Sequence, residues 1–156
     1  MRIVAPLTER PGAWNKILCI QSAFDAGCEF VMWVDADATI MKAAMGADIR
    51  DAIDRAHDFF LVRHAIGDGY GPNTGILIVR NSPAARAALD AIWNMTQYED
   101  HPWWEQAAFL DYFGLIDELP SQDKKLFTDR VRPEPSGHSD ALVQNGDPAS
   151  IKWIDL

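Results

Sequence analysis

The stretch Phe30-Val31-Met32-Trp33-Val34-Asp35-Ala36-Asp37-Ala38-Thr39-Ile40 decides how the rest of the chain is read. Five apolar residues make a buried strand, and it ends in two carboxylates spaced i, i+2. Side chains on extended backbone alternate faces, so Asp35 and Asp37 would point the same way as the strand leaves the sheet. Open α/β sheets bind ligands at the carboxyl ends of their strands. Paired hard oxygens there suit Mg²⁺ or Mn²⁺, which bridges to a diphosphate. The competing reading is a solvated Asp-x-Asp turn, and the apolar run in front of the pair favours the metal.

At 156 residues the chain is expected to form one domain, 1–156, with a real core. Hydrophobic residues are 48% and charged residues 24%, a globular balance that argues against disorder. The formal net charge of -9, with no long basic run, speaks against nucleic acid as a partner. An acidic chain that binds an acidic nucleotide needs a cation between them. Cys19 and Cys28 lack metal-ligand spacing and are expected to be free, mostly buried thiols. With no membrane-length apolar window and no signal-peptide pattern, a soluble, cytoplasmic chain is expected.

Alternating strand and helix patterns indicate an α/β domain. A short strand over 2–6 precedes a helix carrying Trp14, Ile17, Leu18, Gln21 and Phe24, which Ala26-Gly27 ends. After the Asp-bearing strand, 48–57 reads as a short polar helix and 59–63 as a strand. The glycine-rich 67–72 reads as a flexible loop, and 75–80 as a strong buried strand. Ser82-Pro83 opens a helix with Ser82 as N-cap and Pro83 at the first helical position. A further helix over 103–113 stops at Gly114. Beyond Pro120 the pattern weakens, 132–138 reads as a loop, and 151–154 as a last strand.

Three more patterns can carry chemistry. Lys16, in Trp14-Asn15-Lys16, sits near a helix N-terminus, where its charge opposes the macrodipole. It either neutralises phosphate near the metal site or snorkels at the surface. Asn73-Thr74-Gly75 offers short hydrogen-bonding groups and close backbone approach for a sugar hydroxyl, or is turn chemistry alone. Trp103-Trp104-Glu105-Gln106 combines aromatic faces for sugar C–H surfaces with an acid and an amide for hydroxyls. Alternatively, Glu105 caps the helix through Asp100 or His101 and the aromatic pair is core. A phosphotransfer reading with Asp35 as nucleophile lacks a partner lysine after a later strand.

In this order, Trp-x-Lys, Trp-Val-Asp-Ala-Asp-Ala-Thr-Ile, Asn-Thr-Gly-Ile-Leu-Ile-Val-Arg-Asn-Ser and Trp-Trp-Glu-Gln resemble glycosyltransferase family 34. That family holds α-galactosyl-, α-mannosyl- and xylosyltransferases, and the likeness covers about residues 14–113. It implies a GT-A (nucleotide-diphospho-sugar transferase) type sheet flanked by helices, a UDP- or GDP-sugar donor, a glycan or other hydroxyl acceptor and retention of configuration. By the same resemblance Asp35 and Asp37 hold the Mn²⁺ or Mg²⁺, with Asp35 also touching the nucleoside. Lys16 belongs to the donor region, and Asn73, Thr74 and Gly75 face the donor or acceptor sugar. Glu105 and Gln106 sit beside the anomeric carbon, Gln106 or Glu105 supporting oxocarbenium-like charge and Glu105 doubling as a nucleophile candidate. The family has a longer N-terminal section and a later metal-binding histidine, for which His138 is no positional match. The chain therefore reads as a GT-A domain shortened at both ends. The alternative is a non-catalytic nucleotide- or carbohydrate-binding module, and a homo-dimer would be one way to cover exposed sheet.

Overall fold

The computed structural model describes residues 8–39, 46, 48–66, 69–119, 121–128 and 151–155. The expected strand over 2–6, the loop over 132–138 and His138 lie outside them. Helix α1 (Asn15–Asp25) follows a single 3-10 turn, Gly12–Trp14, and ends where Gly27 takes a positive φ of 92°. Strand β1 (Phe30–Val34) comes next, then β2 (Phe59–Ile66) and β3 (Gly69–Arg80). Helices α2 (Pro83–Trp93), α3 (Trp104–Tyr112) and α4 (Ser121–Thr128) follow, and β4 (Ile151–Asp155) returns to the sheet.

The strands lie in the order β1-β3-β2-β4. β3 runs antiparallel to both its neighbours, β1 and β2, and β4 runs parallel to β2. The sheet is therefore mixed rather than a set of parallel crossovers. Its core residues Phe59, Leu61, Leu77 and Val79 alternate along β2 and β3 and pack with α1, α2 and α3. From the helices come Ile17, Ile20 and Phe24, then Leu89 and Ile92, then Phe109 and Phe113. Phe59 meets the rings of Phe109 and Phe113 edge-on, at centroid distances of 6.2 and 5.0 Å.

Several expectations change. Strand β1 is not buried throughout: Met32 is 45% and Val34 39% exposed, because they lie on the face opposite Val31 and Trp33, which pack against the core. The segment 69–72, expected as loop, is the first part of β3 and pairs with β2 from Ile66↔Gly69 to Arg63↔Pro72. Ladder bonds use backbone groups alone, so a facing strand holds glycine extended without any side-chain preference. The polar helix over 48–57 contracts to one 3-10 turn, Ile49–Asp51. There Asp48 accepts from Arg50 N–H and Asp54 accepts from the N–H groups of Ala56 and His57, local bonds that compete with a helix. Helix α4 went unforeseen, although Leu126 and Phe127 reach the core. The cysteines are free, but Cys28 is exposed and Cys19 only half-buried. The Ser82 cap forms as read, its Oγ accepting from Ala85 N–H at 3.0 Å.

Among the described residues no helix is long and apolar enough to cross a membrane.

Candidate functional site

One irregularity in the sheet builds the site. Along β2 and β3 the register runs Leu61↔Leu77 and then Val62↔Asn73, so Thr74, Gly75 and Ile76 have no partners on β2. Such bulges bend a strand and re-aim its groups. Freed from β2, these groups find other partners. Thr74 N–H donates to Gln106 Oε1 at 3.1 Å, Gly75 N–H to Asn73 Oδ1 at 2.7 Å, and Gly75 C=O accepts from Asp35 N–H at 2.8 Å. Asn73, Thr74, Gly75, Gln106 and Asp35 thus meet because bulge backbone needs partners.

Lys16 lies at the centre, 2% exposed rather than snorkelling. Its Nζ donates to Glu105 Oε1 at 2.6 Å, to Thr74 C=O at 3.0 Å and to Thr74 Oγ1 at 3.4 Å. It also stands 3.5 Å from Asp35 Oδ1. Early placement on α1 aims the lysine at the bulge, and the ion pair compensates burial. The Thr74 hydroxyl donates to Glu105 Oε1 at 3.2 Å. Glu105 is 3% exposed and faces inward; α3 has no side-chain cap, so the capping reading of Glu105 falls.

Asp35 follows the last residue of β1. The Trp33 indole N–H donates to its Oδ1 at 2.5 Å, and Trp33 also lies under Lys16 at 5.9 Å. Trp33 was missed in the sequence, yet its i−2 spacing from Asp35 was the available signal. Because Ala38 N–H bonds Asp35 C=O at 3.0 Å, the chain turns at 36–37. Asp37 is thus exposed in a turn, not one step along an extended strand. The alternation that would align the two carboxylates stops at Val34.

Asp35, Asn73, Thr74, Gly75, Glu105 and Gln106 line an open pocket of about 220 Å³, together with Ala13, Pro102, Trp103 and Trp104. Asp37 is not among the lining residues. Of the two tryptophans, Trp103 joins an aromatic cluster with His101 and Phe127, at 6.3 and 5.8 Å, whereas Trp104 is 45% exposed. The core reading therefore holds for one indole and not for the other. Formally, one ammonium faces two carboxylates, which leaves a net negative charge at the pocket. That charge suits a divalent cation on Asp35, whose Oδ2 carries no hydrogen bond from Lys16 or Trp33. Among the described residues no three His, Cys, Asp or Glu side chains cluster as a metal cage. Mg²⁺-type sites manage with one or two carboxylates plus phosphate and water, so the donor set fits.

No family model and no curated protein sequence matches the chain. Among solved structures it is similar to the crystal structure of a glycosyltransferase involved in the glycosylation of the major capsid of PBCV-1. The TM-score is 0.54 at 20% sequence identity, over 77% of this chain and 62% of that one. Over the aligned part the chain shares the fold of that structure. The aligned part spans less than two-thirds of that neighbour's length.

Proposed function

We propose that the chain is a metal-dependent retaining glycosyltransferase of GT-A type, related to family 34. It moves a hexose or pentose from a nucleotide-sugar to a hydroxyl acceptor. The observation that carries this reading is the buried ammonium of Lys16, which gathers Asp35, Thr74 and Glu105 from three separate elements at one pocket. The shared fold supports it.

In this reading Asp35 and the neighbouring Asp37 hold Mn²⁺ or Mg²⁺, which when bound offsets the charge of a departing diphosphate. Lys16 does not reach the phosphates itself. It holds Asp35 Oδ1 and Glu105 Oε1 in place, leaving Asp35 Oδ2 for the cation. Glu105, ion-paired and buried, is a positioning group rather than a nucleophile. Gln106, half-buried on the pocket wall, stands where positive charge develops on the sugar and stabilises it by its amide dipole. Asn73 and Thr74 orient sugar hydroxyls from the bulge.

The test is melting temperature against UDP, GDP and their sugar conjugates, each with Mn²⁺ and with EDTA. A ligand that binds only the folded state raises the melting temperature with concentration. A rise with one nucleotide, dependent on metal and followed by turnover of its sugar conjugate, is the expected result. A rise without turnover would favour a non-catalytic binding module, and no rise would remove the donor site.

A further inference from the structure

Trp104 enters α3 with a φ of +42°, the only positive φ at a non-glycine residue among the described residues. Its N–H bonds His101 C=O at 2.9 Å, which closes a turn over Pro102 and Trp103 just before the helix. A bulky side chain in the left-handed region is strained, and such strain persists only where the surroundings hold it. Here the result is an indole 45% exposed at a pocket wall, stacked on no other ring among the described residues. Trp103, one residue earlier, spends its ring on the aromatic cluster instead.

Glu105, next to Trp104 and buried, keeps Oε2 without a hydrogen-bond partner among the described residues. Buried acceptors are normally satisfied, so this oxygen has capacity for one more donor, a water or a ligand hydroxyl. Asn73 and Gln106 add amide groups to the same pocket. At about 220 Å³ and open to solvent on one side, the pocket has room for one pyranose ring, with the remainder of a larger ligand lying outside it.

We infer that Trp104 is the stacking platform of a monosaccharide subsite, taking the C–H face of a pyranose while Glu105, Asn73 and Gln106 meet its hydroxyls. Assigning that ring to the acceptor rests on the proposed transferase reading; the sugar site itself does not.

Saturation-transfer NMR on the full chain tests it, with the methyl α-pyranosides of glucose, galactose and mannose at millimolar concentration and uridine as a separate probe. At least one pyranoside should take up saturation on the C–H protons of one ring face, more strongly on irradiating indole than methyl resonances. Trp104→Asn, which tolerates the left-handed backbone, should lose at least tenfold in sugar affinity without melting below the wild type. Trp104→Phe should keep most of the binding. No pyranoside signal, undiminished signal in W104N, or equal transfer from methyl irradiation would overturn the subsite. So would uridine as the probe that depends on Trp104. The measurement needs no turnover. Sugar stacking without nucleotide-sugar turnover keeps the subsite and removes the transferase reading, and turnover without Trp104-dependent stacking does the reverse.

Discussion

Lys16 Nζ lies 2.6 Å from Glu105 Oε1, and both side chains are all but excluded from solvent. The two residues come from α1 and α3, so this pair ties the first helix to the pocket wall.

Breaking that pair should cost more than it contributes. Lys16→Met leaves Glu105 buried and uncompensated, and the expected loss is about 3–5 kcal/mol in urea unfolding. The double variant K16M/E105Q should recover a large part of it. If the two single losses simply add, the pair is not coupled and its central place in the site is wrong.

Gly75 has almost no room for a side chain. A Cβ there would lie 2.8 Å from Asn73 Oδ1 and 3.0 Å from Asp35 Oδ2. Gly75→Ala should weaken metal-dependent nucleotide binding about tenfold, or about 1.4 kcal/mol, by displacing the Asp35 carboxylate. Stability should fall by only about 1 kcal/mol, the worth of the Asn73 hydrogen bond. Titration calorimetry beside urea unfolding separates the two, and unchanged affinity would remove Asp35 Oδ2 from the site.

Asp35 and Asp37 make a paired prediction because only Asp35 lines the pocket. Asp35→Ala and Asp37→Ala should each abolish the Mn²⁺-dependent rise in melting temperature with nucleotide. Asp35→Ala should also change tryptophan emission without any ligand, since Trp33 loses its acceptor. Retention of the Mn²⁺ effect in D37A would leave Asp35 as the sole carboxylate ligand.

Tyr98 supplies a pH dependence away from the site. Its hydroxyl donates to Asp111 Oδ2 at 2.8 Å, and burial, then the Asp111 charge, holds the phenol far above its ordinary range. The fold therefore keeps the neutral form, while the unfolded chain ionises near pH 10. The contribution is whole below that pH and declines as pH rises above it, by up to about 1.4 kcal/mol per pH unit. Tyr98→Phe should cost about 1.5 kcal/mol at pH 7 but flatten the decline between pH 10 and 11.5. Parallel stability curves for the two proteins would contradict this.

Local signals were the legible ones. Ser82-Pro83 reads as a helix start because the cap acts within one turn, and Gly27 and Gly114 mark helix ends through their positive φ. The site residues Lys16, Asp35, Asn73, Thr74, Gly75, Glu105 and Gln106 could be named because their types carry chemistry. Their contacts could not be. The paired orientation of Asp35 and Asp37 fails because a turn begins where the strand was expected to continue, and the loop reading of 69–72 fails because β2 supplies a partner.

By itself, then, the sequence determined the helices with strong caps, the apolar strands and the chemical types available at the pocket. All of these act within a few residues along the chain. Only the tertiary structure decided that β1 lies at the edge of the described sheet, that a bulge breaks the β2–β3 register, and that Lys16 is buried. It also decided which of two adjacent tryptophans remains exposed. Each of those depends on backbone groups and charges finding partners far away in sequence, 89 positions away for Lys16 and Glu105 (105 − 16). Such pairing is settled by the geometry of the assembled sheet and helices, which no local pattern encodes.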